Sequence, residues 1–265
     1  MIINTGLLPL TSSEVACMKF SDNTFPNYAH FFKNSAIINP WPEIWNQSAI
    51  TKSYGYKSLI QRDSIIKKDN IVFDMAEDFI TANPDNFCEF VITISTHTPF
   101  DYVKSSGKLF LPSDMPHNLK NYLKCYHYSD SCIGVFFNKL EKDSILKNTA
   151  VVMTGDHTFF KEPLLEEFKS YSKKHDVTIA EAESFCPLLI FSPEIEKHIE
   201  IADTCYQMDV FPTILHCINR EDYYWQGLGI NLFDSVARNN RPISEGKAYE
   251  ISNKIIRSDY LKKYE

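Results

Sequence analysis

Three short runs, "FVITIS" (90–95), "AVVMT" (150–154) and "PLLIFS" (187–192), are apolar without interruption and rich in β-branched side chains. A strand with one wet face alternates apolar and polar residues, so a continuous run implies cover on both faces. Helical patterns stand around these runs. "IVFDMAEDFITAN" (71–83) places Phe73, Ala76, Phe79 and Ile80 on one side. The stretch 119–140 repeats apolar residues at 119, 122, 123, 126, 133, 136, 137 and 140, a stripe of helical period. "YQMDVFPTILHCI" (206–218) predicts a further helix, which Pro212 either kinks or begins. This alternation predicts an α/β fold with a mostly parallel central sheet and helices on both faces. The first 65 residues differ: they are rich in Asn, Pro, Ser and aromatics and weakly periodic. They are expected to form an irregular, pocket-building segment and not a complete first βαβ unit.

At 265 residues, with no repeat and no low-complexity linker, one domain with one core is the default. Hydrophobic residues at 44% and aromatics at 14% are those of a packed chain and not a disordered one. The net charge of −7 argues against a general binder of nucleic acid or anionic membrane. No apolar run approaches the roughly 20 residues that span a bilayer. "MIINTGLLPL" lacks the basic region and longer apolar core of a signal peptide. The seven cysteines (17, 88, 125, 132, 186, 205 and 217) are scattered without a CxxC. Buried free thiols are the expectation, and zinc held by these cysteines is not.

Ligands of open α/β sheets bind beyond the carboxyl ends of the strands. "VITIS" runs there into Thr96, His97, Thr98 and Pro99, and "AVVMT" into Gly155, Asp156 and His157. Two imidazoles and a carboxylate are therefore expected to converge on one sheet edge. A carboxylate oxygen beside an imidazole nitrogen suits Mn²⁺, Zn²⁺ or Mg²⁺. Gly155 would relieve crowding where the backbone turns. The residues alone leave the alternatives open: Asp156 as a helix cap with His157 on the surface, and His97 as a hydrogen-bonded strand end.

"VITISTHTPF" (91–100), then "NYLKCYHYSDSCIGVFFNKLEKDSILKNTAVVMTGDH" (121–157), resembles the sulfatase/alkaline phosphatase superfamily. More narrowly, it is similar to the lipoteichoic acid synthase-like branch, the phosphoglycerol transferases. That branch shows T-x-S-x-H-x-P-F, a Y-x-D-x-x-I-G-x-F-x-x-x-L helix and a strand ending G-D-H. "YQMDVFPTILHCI" resembles its Q-x-D-x-x-P-T-x-L segment, and "WQGLGINLF" (225–233) its closing G-x-G-x-x-L-F. "INTGLLPL" (3–10) and "IWNQSAITKSYGYKSL" (44–59) also fit, so the resemblance covers nearly the whole chain.

The resemblance implies an alkaline phosphatase-like fold and a metal-dependent phosphate- or sulfate-ester hydrolase or transferase. Asp156 and His157 match two ligands of its divalent ion, Mn²⁺ or Mg²⁺ first and Ca²⁺ or Zn²⁺ as alternatives. His97 matches the histidine that contacts the transferred phosphate or sulfate. Trp45 matches the aromatic of a W-N-R motif lining the head-group pocket. Gln47 stands where that motif has Arg, and it supplies neither the charge nor the fork of a guanidinium. The implied partner is a small-molecule, lipid or glycan ester, and the implied location is extracytoplasmic (periplasmic or cell-surface).

The family's hydroxyl nucleophile and a further acidic ligand lie upstream of the "TGLLPL" segment. The chain is therefore read as the C-terminal portion of such a domain, its N-terminal strand unit missing, and inactive alone. Within 1–265 the expected parts are 1–65 (pocket-forming), 66–240 (sheet and helices) and 241–265 (extension). Thr5, Thr11, Ser12 and Ser13 are local hydroxyls, with the composition of a turn. A non-catalytic ester- or glycan-binding module that retains the pocket is the alternative. A two-metal mutase would need a second ligand set, for which Asp114 and His117 in "PSDMPHN" are the nearest offering.

Overall fold

Between Asn34 and Ile60 the chain forms a strand, a helix and a second strand parallel to the first. The computed structural model describes residues 1–10, 16–43, 46–105, 107–157, 164–176, 186–225, 227–240 and 245–257. Its elements begin with α1 (Ile2–Thr5), α2 (Ala16–Lys19), β1 (Asn34–Ile38), α3 (Gln47–Ser53), β2 (Ser58–Ile60) and α4 (Asp69–Ala82). There follow β3 (Phe87–Val91), α5 (His117–Lys142), β4 (Val151–Thr154), α6 (Leu164–His175) and β5 (Leu188–Phe191). The chain continues through α7 (Val210–Cys217), α8 (Ser235–Asn239) and α9 (Glu245–Arg257). Two compact units are formed: Met1–Ser64 with Phe79–Val91 and Glu194–Glu265, and Ile65–Asp78 with Ile92–Pro193.

In the first unit the sheet order is β2-β1-β3, both pairings parallel. Parallel neighbours require crossovers, which the chain makes through α3 and α4. From Ser35 to Ile38 every residue of β1 is buried, as a central strand covered on both faces must be. The irregular reading of residues 1–65 gives way here, because "NSAII" is a strand and β1-α3-β2 is a βαβ unit. Its opening Asn and Ser carry no strand propensity, and burial between two neighbours overrides that. Of the expected extension 241–265, residues 245–257 are described and form α9. Ala248 packs with Leu8 and Met208, and Ser252 Oγ accepts the Leu8 N–H at 3.2 Å.

The segments "INTGLLPL", "YQMDVFPTILHCI" and "WQGLGINLF" meet in this unit. Asp209 is fully buried, and its carboxylate accepts the N–H groups of Tyr206 (2.7 Å) and Ile230 (3.1 Å). Thr213 Oγ accepts the N–H of Leu232 at 3.0 Å. Pro212 lies in the first turn of α7, where its missing N–H would have had no helical partner, so the helix starts there without a kink. Gly6, at φ +63°, lies under the Trp225 ring, where any Cβ would collide. The recurrent letters of these segments are thus explained by packing.

In the second unit β4 and β5 pair antiparallel, and not parallel as the continuous runs predict. Leu189 is 58% exposed and Phe191 38%, so β5 alternates inside and outside like a half-covered strand. Phe73 of α4 stacks on Phe136 of α5 with centroids 4.9 Å apart. The buried stripe of α5 runs through Leu119, Cys125, Ser129, Cys132, Phe136 and Leu140; it shares 119, 136 and 140 with the apolar reading and shifts by one residue between them, to Cys125 and Cys132. Ser129 accounts for the shift, because it is buried to donate to Asp69 Oδ2 at 2.7 Å. The strand expected at 90–95 is β3, three residues earlier. Beyond Val91 the N–H groups of Ile94 and Ser95 go to Asp69 Oδ1 (2.7 and 2.8 Å) and not to a ladder. Among the described residues no helix is long and apolar enough to cross a membrane.

Candidate metal and ester site

β4 carries Val151–Thr154 to its carboxyl end, and the next three residues are Gly155, Asp156 and His157. A Cβ on Gly155 would lie 3.2 Å from Cys186 Sγ, so glycine eases a close approach of the segment entering β5. The Asp156 and His157 side chains are 85% and 70% exposed, with Oδ2 and Nε2 3.7 Å apart. The His157 N–H donates to Asp156 Oδ1 at 3.0 Å. Burial, helped by the charge of Asp156, raises the Cys186 thiol above its ordinary range and keeps it protonated.

Two donors on one small divalent ion lie on the order of 3 Å apart, so this pair needs only a slight adjustment to share one. The donor chemistry fits a hard or borderline cation. Among the described residues no group of three or more His, Cys, Asp or Glu is placed to hold a metal. His97 is thus not drawn into a three-ligand cluster with the pair, and β3 and β4 lie in separate hydrogen-bonded sheets.

His97 sits on a turn in the second unit, its N–H donating to Ile94 O at 2.9 Å. Its Nδ1 lies 2.6 Å from Thr98 O. The Thr98–Pro99 bond is cis, and Phe100 is buried edge-on against Tyr122 at 5.4 Å.

Trp45 lies outside the described residues, as do Thr11, Ser12 and Ser13. Gln47 opens α3 in the first unit, and its side-chain oxygen accepts from Asn39 Nδ2. The same Asn39 amide reaches Trp41 O at 2.9 Å and Gln61 Oε1 at 3.4 Å. Gln47 is therefore part of an amide cluster directly beyond the carboxyl ends of β1 and β2. Thr5 is fully buried, its hydroxyl donating to Met1 O and accepting from Leu7 N–H, which is a turn and not a nucleophile. Asp114 pairs with Lys174 (2.9 Å) and His175 (3.0 Å), which holds its carboxyl below the usual range, Lys174 contributing most. His117 pairs with Asn121 at 3.0 Å. These two residues do not form a second ligand set.

Sequence reasoning passed over Asp69 and Glu89. Asp69 had one signal, an acid opening the α4 pattern. Glu89, in an otherwise apolar strand, has a buried Oε1 without a hydrogen-bond partner among the described residues, and burial pushes its carboxyl up to about 8.

The sulfatase family profile matches residues 12–219. Lipoteichoic acid synthase 2 of Bacillus subtilis (strain 168) is 28% identical over 185 residues, 68% of this chain and 26% of that protein. The crystal structure of the lipoteichoic acid synthase LtaP from Listeria monocytogenes superposes with a TM-score of 0.70 at 23% identity, covering 87% of this chain and 60% of that one. A protein of the alkaline phosphatase superfamily from Vibrio parahaemolyticus gives 0.64 at 19% identity, covering 91% and 58%. These structural likenesses establish an alkaline phosphatase-like α/β fold. The chain spans about a quarter of the length of the Bacillus relative.

Proposed function

The chain belongs to the sulfatase family, and from that premise we propose that it is a metal-dependent phosphate- or sulfate-ester hydrolase or transferase domain of the phosphoglycerol transferase type. On this reading residues 1–265 form one sulfatase-like domain of an extracytoplasmic protein acting on a small-molecule, lipid or glycan ester. Asp156 and His157 would hold one divalent ion, Mn²⁺ or Mg²⁺ before Ca²⁺ or Zn²⁺. When bound, such an ion supplies Lewis acidity toward an ester oxygen and toward an attacking hydroxyl.

The chain's own residues do the rest. The exposed carboxylate and imidazole present an oxygen and a nitrogen donor toward solvent at the end of a strand. His97 would contact the transferred group through Nε2, since Nδ1 is turned to the Thr98 carbonyl; toward an anionic oxygen that contact requires hydrogen on both ring nitrogens. Gln47, neutral and bonded by Asn39 in the first unit, offers a substrate amide hydrogen bonds where the branch's motif has a guanidinium. That chemistry suits an uncharged, hydroxyl-bearing group more than a second phosphate.

The observation that carries the proposal is the Asp156–His157 pair, 3.7 Å apart and exposed at the end of β4, within the region the family profile matches. The test is calorimetric titration with Mn²⁺ and Mg²⁺, alongside turnover of an aryl phosphate and an aryl sulfate. Metal binding lost in Asp156→Ala supports the site, and unchanged affinity refutes it. The incomplete donor set among the described residues favours a second reading, a binding module without turnover. Ester binding with no product over long incubation would select it.

A further inference from the structure

We propose that Asp69 is the positioning residue for His97, an assignment that rests on the ester-contacting role given to His97 above. Burying a carboxylate is costly unless donors replace its water. Asp69 is fully buried, and its donors come from two directions. Oδ1 accepts the N–H groups of Ile94 (2.7 Å) and Ser95 (2.8 Å), and Oδ2 accepts the hydroxyl of Ser129 on α5 (2.7 Å). Asp69's own N–H, at the first residue of α4, donates to Ser95 Oγ at 3.0 Å. An ordinary helix cap satisfies backbone groups of its own helix. This carboxylate instead binds amides 25 and 26 residues away in sequence.

Those amides belong to the turn that carries His97. The His97 N–H donates to the carbonyl of Ile94, the same residue whose N–H Asp69 holds. Downstream, the Phe100 N–H returns to His97 O at 3.2 Å, and the Phe100 ring is buried against Tyr122. The turn is thus anchored before His97 by Asp69 and Ser129, and after it by Phe100 and Tyr122. Ser129 and Tyr122 both stand on α5, so both anchors refer the turn to one rigid helix. A carbonyl only accepts, so the Thr98 O contact requires hydrogen on His97 Nδ1 and, in the neutral ring, places the lone pair on Nε2. Holding the 94–98 backbone in register selects that tautomer and fixes the direction of Nε2.

The experiment combines ring-nitrogen NMR of His97 with amide hydrogen exchange, on the wild-type chain and on Asp69→Asn and Ser129→Ala, with His97→Gln assigning the signal. The wild-type ring is expected to show the Nδ1–H tautomer. Ser129→Ala is expected to speed exchange at Ile94 and Ser95 several-fold and to mix the tautomers, and Asp69→Asn to do so by about tenfold or more. Faster exchange with an unchanged wild-type tautomer would reduce Asp69 to a structural clamp and overturn the proposal, as would unchanged exchange. Should Asp69→Asn fail to fold, Ser129→Ala decides alone. A parallel titration with inorganic phosphate separates the two readings. If His97→Gln binds phosphate like wild type, the ester-contacting role falls, and with it the functional part of this proposal, whatever the tautomer. Weakened phosphate binding in both His97→Gln and Ser129→Ala supports both.

Discussion

The carboxylate of Asp209 accepts the backbone N–H of Ile230 at 3.1 Å, fastening the turn before α7 to the segment that follows Trp225. Its second oxygen holds the Tyr206 N–H at 2.7 Å. Asp209→Ala would leave both backbone donors without this acceptor. A loss of about 2–4 kcal/mol is expected in urea unfolding of the chain.

Gly229 crosses the backbone of Met208 so closely that an added Cβ would lie 2.6 Å from the Met208 carbonyl carbon. Backbone cannot yield as a side-chain tip can. Gly229→Ala is therefore expected to cost about 2 kcal/mol or more, read from the same unfolding curves.

Glu89 predicts a pH dependence. Burial raises its carboxyl from 4.5 to about 8, so the folded chain holds this proton where the unfolded chain has released it. The stability it contributes is full below the unfolded value and is lost as pH rises through the window from 4.5 to about 8. Glu89→Gln, neutral throughout, should flatten that slope. Above the window the variant should exceed wild type by about 1–3 kcal/mol in thermal or urea unfolding.

At Gly155 the obstacle is a side chain, Cys186 Sγ at 3.2 Å from the position of a Cβ. Gly155→Ala should cost about 1 kcal/mol, and most of that should return in Gly155→Ala/Cys186→Ala. A double-mutant cycle in urea gives the coupling.

The helices were legible because their stripes are long: 71–83 and 119–140 became α4 and α5. β4 was legible to within a residue, and with it the placing of Asp156 and His157 at a strand end. β1 was hidden because "NSAII" opens with polar residues and owes its strand to burial between two neighbours. β3 was displaced because Asp69, far away in sequence, takes the amides of Ile94 and Ser95. No local pattern announces such a long-range acceptor. Pairing direction was misjudged for β4 and β5, since a run as short as "PLLIFS" reads alike whether one face is covered or two. Of the proposed site residues, the Asp–His pair was visible as chemistry, whereas the engagement of Gln47 by Asn39 depends on a contact that only the fold creates.

The most direct measurement is Mn²⁺ affinity of the wild-type chain, of Asp156→Ala and of His157→Ala, by calorimetry at one pH and ionic strength. Two ligands of one ion predict that each substitution weakens binding by at least about tenfold, or 1.4 kcal/mol. Both variants should keep the wild-type unfolding midpoint, because both side chains are exposed. Wild-type affinity retained in both variants would contradict the metal assignment.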